Sequence, residues 1–194
     1  MVKSVHITLF VLIAIPLLIV GQPAYIFATV VNPVDNSQSS DTCEIQNISA
    51  DDQTKCPKIE VRAKKIPQLR GLPVYHLFII HTDQDGKQYI YRGGPTRDNP
   101  PWGAIQTCYG PYEASGRCDD WVSNAPSVTV LEGEDVNKLV LNCLQLEIER
   151  IQAKKVPYHL FGPNSNSVAY TLLDNCDIPA EKPVNIAPGW GERI

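Results

Sequence analysis

The sequence contains no cluster of basic residues. Its 17 Lys and Arg are scattered among 21 Asp and Glu, for a formal net charge of −4 at pH 7. A mildly acidic chain without a basic stripe has nothing to displace counterions from a phosphate backbone, which argues against nucleic acid as a partner. The pair Lys64-Lys65 reads as a solvated strand end. No Cys-x-x-Cys occurs and no histidines sit at finger spacing, so no metal is expected. Gly93-Gly94-Pro95 is not followed by Gly-Lys-Ser/Thr and opens no helix. It is read as a turn rather than a phosphate loop, and no cofactor is expected. The acidic pair Asp119-Asp120 stands isolated in a loop and reads as solvated.

The N-terminus is richer. Met1-Val2-Lys3 and the apolar run Ile7 to Val20 have the form of the charged and hydrophobic regions of an export signal. Residues 1–28 are expected to be a signal peptide cut after Ala24 or Ala28, or an uncleaved N-terminal anchor of about 20 residues. The short apolar run and the break at Gly21-Gln22-Pro23 favour cleavage. Either way the remainder is expected to be secreted or periplasmic, touching a membrane only through that segment. The six cysteines agree, since an even number in an oxidising compartment reads as up to three disulfides. Proximity in sequence pairs Cys43 with Cys56 and Cys108 with Cys118, leaving Cys143 with Cys176.

Residues 29–57 are polar and poor in large apolar side chains, a surface arm rather than core. Residues 58–194 have the size of one domain. Ile59, Val61 and Ala63 alternate with Glu60, Arg62 and Lys64, the period of a half-buried strand. The apolar run 73–81 reads as a strand covered on both faces. Asp85-Gly86 then turns the chain into a return strand at 87–92. Residues 93–124 read as a long loop stapled by Cys108 and Cys118, and 127–131 as another short strand. Val136, Leu139, Val140, Cys143, Leu144, Ile148 and Ile151 recur at helical spacing up to Pro157. A shorter helix carries Val168, Ala169, Leu172 and Leu173, and an extended tail follows. The fold class is α+β: a small antiparallel sheet packed against two helices.

A hairpin opening His76-Leu77-Phe78-Ile79, followed later by a helix starting Asn164-Ser165-Asn166-Ser167, resembles the circularly permuted papain-like domains, the NlpC/P60-like and lecithin retinol acyltransferase-like group. In that group a strand histidine precedes a nucleophilic cysteine at a helix N-terminus. The resemblance implies His76 as general base and Ser167 or Ser165 as nucleophile, Ser167 slightly preferred. It also implies an orienting group from a neighbouring strand, Tyr91 or Gln88. Serine stands where the group has cysteine, and a hydroxyl at a helix N-terminus gains far less activation than a thiol.

Each candidate also has a structural role. Asn164 to Ser167 are all good helix caps. His76 shares a strand face with Val74, Phe78 and Ile80, where a histidine is commonly a hydrogen-bonded core residue. His81 falls near the turn and is expected to be exposed. The aromatics Trp102, Tyr109, Tyr112 and Trp121, with Tyr91 nearby, are candidates to line a groove for a peptide, a sugar or another envelope component. The sequence therefore favours an exported, catalytically weak or silent domain acting in binding or structure. The alternative is a cell-envelope amide or ester hydrolase or acyltransferase using Ser167 and His76.

Overall fold

The computed structural model describes residues 56–67, 71–98, 102–118 and 120–194, all within the compact unit Ser40–Ile194. The export segment, nearly all of the polar arm and Cys43 lie outside the described residues. Five strands, β1 (Lys58–Lys65), β2 (Tyr75–Thr82), β3 (Gln88–Pro95), β4 (Ile105–Pro111) and β5 (Ser127–Glu132), form an antiparallel sheet in the order β4-β3-β2-β1-β5. Two helices, α1 (Lys138–Lys154) and α2 (Ser165–Asn175), complete the α+β fold.

Period-2 alternation explains how the sheet divides its side chains. Ile59, Val61 and Ala63 of β1 and Leu77 and Ile79 of β2 face the helices. There they meet Leu144, Ile148 and Ile151 of α1 and Val168, Ala169, Leu172 and Leu173 of α2. Phe78, Ile80 and Ile90 point the other way, against Tyr112 and Cys118. The segment after β4 thus covers the second face, which is why the 73–81 run carries apolar residues on both faces. Tyr112 anchors this cover: its hydroxyl donates to the Val122 carbonyl (3.1 Å) and accepts from the Val122 amide (3.0 Å). The Cys108–Cys118 disulfide ties the same segment to β4. Cys143–Cys176 pins α1 to the end of α2. Cys56 is also disulfide-bonded.

Several expectations need correction. Gly93-Gly94-Pro95, read as a turn, forms the end of β3 and pairs with β4. Residues 105–111, assigned to the long loop, form β4, an edge strand whose Gln106-Thr107 and Gly110-Pro111 hide any alternation. Leu139, assigned to the buried face of α1, is 79% exposed, because the helix begins only one residue earlier and meets the core from Leu144 onward. His81 is buried, stacked on Tyr89 at 5.7 Å. Burial pushes its imidazole pKa down, and the nearby Asp83 charge only partly offsets this.

Gly93 on β3 sets how closely α2 approaches the sheet. A Cβ there would fall 2.8 Å from Val168 Cβ and closer still to Cγ2. We predict that Gly93→Ala costs about 2 kcal/mol through overpacking. Adding Val168→Ala should recover part of that loss in urea unfolding. No recovery would show that backbone conformation, not the contact, is limiting.

Candidate functional site

The site arises where β2 and β3 part. They pair from Ile79↔Tyr91 to Thr82↔Gln88 and no further. Beyond that point the edge of β2 needs other partners, since buried backbone groups are costly to leave unmade. Asn166, in the first turn of α2, supplies them. Its Oδ1 accepts from the Leu77 amide (2.7 Å) and its Nδ2 donates to the Tyr75 carbonyl (3.0 Å). The start of α2 is thereby wedged into the fork between the strands. An open cleft of about 510 Å³ lies there, lined by His76, Arg92, Trp102, Asp120, Tyr158 and Ser165 among others.

Alternation puts Lys64 and His76 side by side as register partners on β1 and β2. Arg92 of β3 reaches the same place from across the fork, and Asp120 joins them from the covering segment. Asp120 Oδ2 meets His76 Nε2 at 2.9 Å and Arg92 Nε at 2.8 Å, while Oδ1 meets Lys64 Nζ at 3.2 Å. Arg92 Nη1 also donates to the Cys118 carbonyl (2.6 Å), which fixes the segment that carries Asp120. Gly94 leaves the room that this guanidinium occupies. Burial alone pushes the Asp120 carboxyl pKa up. The His76 hydrogen bond and the charges of His76, Arg92 and Lys64 outweigh it and hold the group below its ordinary value.

A carboxyl with a depressed folded pKa stabilises fully above its unfolded value, and that stabilisation is lost as pH falls through the folded value. Asp120→Asn is therefore expected to cost about 2 kcal/mol near neutrality, because three cationic or protonatable neighbours lose their counter-charge. The cost should stay flat above the ordinary carboxyl value of 3.8 and shrink below it. A difference that persists unchanged at more acidic pH would mean that packing, not charge, is lost.

Asp120 was missed as a site residue. Its neighbour Cys118 was the available signal, because a staple in a long loop fixes whatever follows it. The proposed orienting groups lie elsewhere. Tyr91 is buried against Tyr109, and burial followed by the neighbouring Tyr109 pushes its hydroxyl pKa up. Gln88 bonds Thr82 and Arg62.

Ser167 is fully buried. Its hydroxyl donates to the Gly189 carbonyl (2.8 Å) and accepts from the Asn164 amide (3.2 Å), completing a capping box with Asn164. Ser165 and His76 line the same cleft, but among the described residues no hydrogen bond joins His76 to either serine. The aromatics divide. Trp102 lines the cleft beside Tyr158 (6.2 Å between centroids). Tyr109 bonds Gln145 at a separate groove against α1. Tyr112 is buried in the second core and Trp121 is about half exposed. Among the described residues no group of His, Cys, Asp and Glu is arranged to hold a metal ion. No family model, curated protein or solved structure matches the chain.

Proposed function

We propose that this chain acts outside the cytoplasm as a binding domain, with the cleft at the β2–β3 fork as its ligand site. Its disulfides are compatible with export. The observation that carries the binding reading is where the polar atoms are spent. Ser167 gives its proton to a backbone carbonyl, and His76 Nε2 faces Asp120 rather than a hydroxyl. A general base must reach the proton it removes, and here the imidazole is held in a charge cluster that shapes the cleft wall. The strand histidine ahead of a helix wedged against the same strand supports the resemblance to permuted papain-like domains as part of this proposal.

One observation favours a second reading. Asp120 holds His76 as the acid of a catalytic triad holds its base, and Ser165 lines the same cleft. An amide or ester hydrolase would then use Ser165 rather than Ser167. A fluorophosphonate probe separates the two readings. The binding domain should leave Ser165 unlabelled and hydrolyse simple esters no faster than His76→Ala. Stoichiometric labelling of Ser165 that disappears in His76→Ala would establish the hydrolase.

A further inference from the structure

The chain as a whole is acidic, yet the cleft is not. Its lining includes Lys64, Lys65, Arg92 and Arg97, and Asp120 is the one carboxylate among the described residues that line it. Asp120 is shared by Lys64, His76 and Arg92, so among the described residues the lining carries more positive than negative charge. Arg97 adds an exposed guanidinium with no partner among the described residues, held by a left-handed backbone (φ 63°) at the cleft margin.

The floor contributes an independent observation. Asn164 Oδ1 accepts from the amides of Asn166 and Ser167, so the cap itself takes up those first-turn donors of α2. Ser165 is different. Its residue is only 4% exposed and lines the cleft, but its hydroxyl bonds to no described residue. This hydroxyl, at a helix N-terminus and open to a cleft lined by cations, is free to donate to an acceptor bound there. Trp102 and Tyr158 form an apolar wall, suited to the flat face of a ring. The volume of about 510 Å³ suits a small ligand rather than an extended chain.

We infer that the cleft binds a small sugar-like ring bearing one acidic group, a carboxylate or a phosphate. The anion meets Arg97, Arg92 and the Ser165 hydroxyl, and the ring lies on Trp102. This rests on the cleft being a binding site and adds the chemistry of what it holds.

The test is calorimetric titration of the protein with glucuronic acid, glucose 6-phosphate, glucose and an acidic tetrapeptide. Binding of an acidic sugar at least tenfold tighter than glucose supports the inference. Support also requires that Arg97→Gln weakens that binding roughly tenfold and that Ser165→Ala and Trp102→Ala weaken it severalfold. Arg97 is exposed and has no partner among the described residues, so that variant should retain wild-type stability. Preference between the two acidic sugars distinguishes carboxylate from phosphate. Glucose binding as tightly, with loss in Trp102→Ala, would overturn the acidic chemistry while leaving the cleft as a binding site. Tighter binding of the tetrapeptide would overturn the ring. Acidic-sugar binding unmoved by all three variants, or no heat from any probe at millimolar concentration, would overturn the inference. Failure of the binding reading itself has its own mark, covalent labelling of Ser165.

Discussion

Replacing Asn166 with alanine is expected to remove about 4 kcal/mol of stability. Asn166 makes three side-chain hydrogen bonds at once: to the Leu77 amide (2.7 Å), to the Tyr75 carbonyl (3.0 Å) and to the Pro188 carbonyl (2.8 Å). Through them it joins β2, α2 and the C-terminal tail. Truncation leaves the Leu77 amide buried without an acceptor, and an unmade buried donor costs more than the mean hydrogen bond contributes. A domain of this size should lose roughly 10 °C or more in Tm. Asn166→Asp keeps the acceptor for Leu77 but replaces the donor with a carboxylate facing two carbonyls, so it should also destabilise. A loss below about 1 kcal/mol for Asn166→Ala would mean that the strand edge finds water or another partner, and the fork would not be the rigid feature described above.

The second large effect is removal of the Cys143–Cys176 bond. It closes a sequence separation of 33, for which loop-closure entropy gives about 4 kcal/mol. The double substitution Cys143→Ser, Cys176→Ser should lower the urea midpoint accordingly. The helices should stay docked, because Asn175 Nδ2 also donates to Glu147 Oε2 across the same junction (2.7 Å). An unchanged midpoint would show that the reduced unfolded chain is already restrained there. Removal of Cys108–Cys118, with a sequence separation of 10, should cost less stability. Its effect should fall on the cleft, because Asp120 follows two residues after Cys118.

Much of the scaffold was legible in the sequence because it rests on local signals. The alternation at 59–64, the Asp85-Gly86 turn and the spacing of Leu144, Ile148 and Ile151 each follow from the geometry of one element. Two disulfide pairs followed from proximity and elimination. The site was less legible, since its geometry depends on contacts distant in sequence. Asn164, Asn166 and Ser167 looked like interchangeable caps. Only the tail carbonyls of Pro188 and Gly189 and the free edge of β2 give each a separate partner. Asp120 looked solvated because nothing near it in sequence announces Lys64, His76 and Arg92, which reach it from three different strands. β4 was hidden because an edge strand need not alternate.

The most direct measurement on the cleft uses the three tryptophans as separate reporters. Trp102 lines the cleft, Trp121 directly follows the cleft residue Asp120, and Trp190 packs on Tyr170 at 5.6 Å. Their indole N–H resonances can be followed in ¹⁵N-labelled protein titrated with glucuronic acid. A saturable shift of Trp102 is expected, accompanied by the amides of Gly93 and Gly94, with Trp190 unmoved. A saturable shift of Trp190 with Trp102 silent would contradict binding in this cleft.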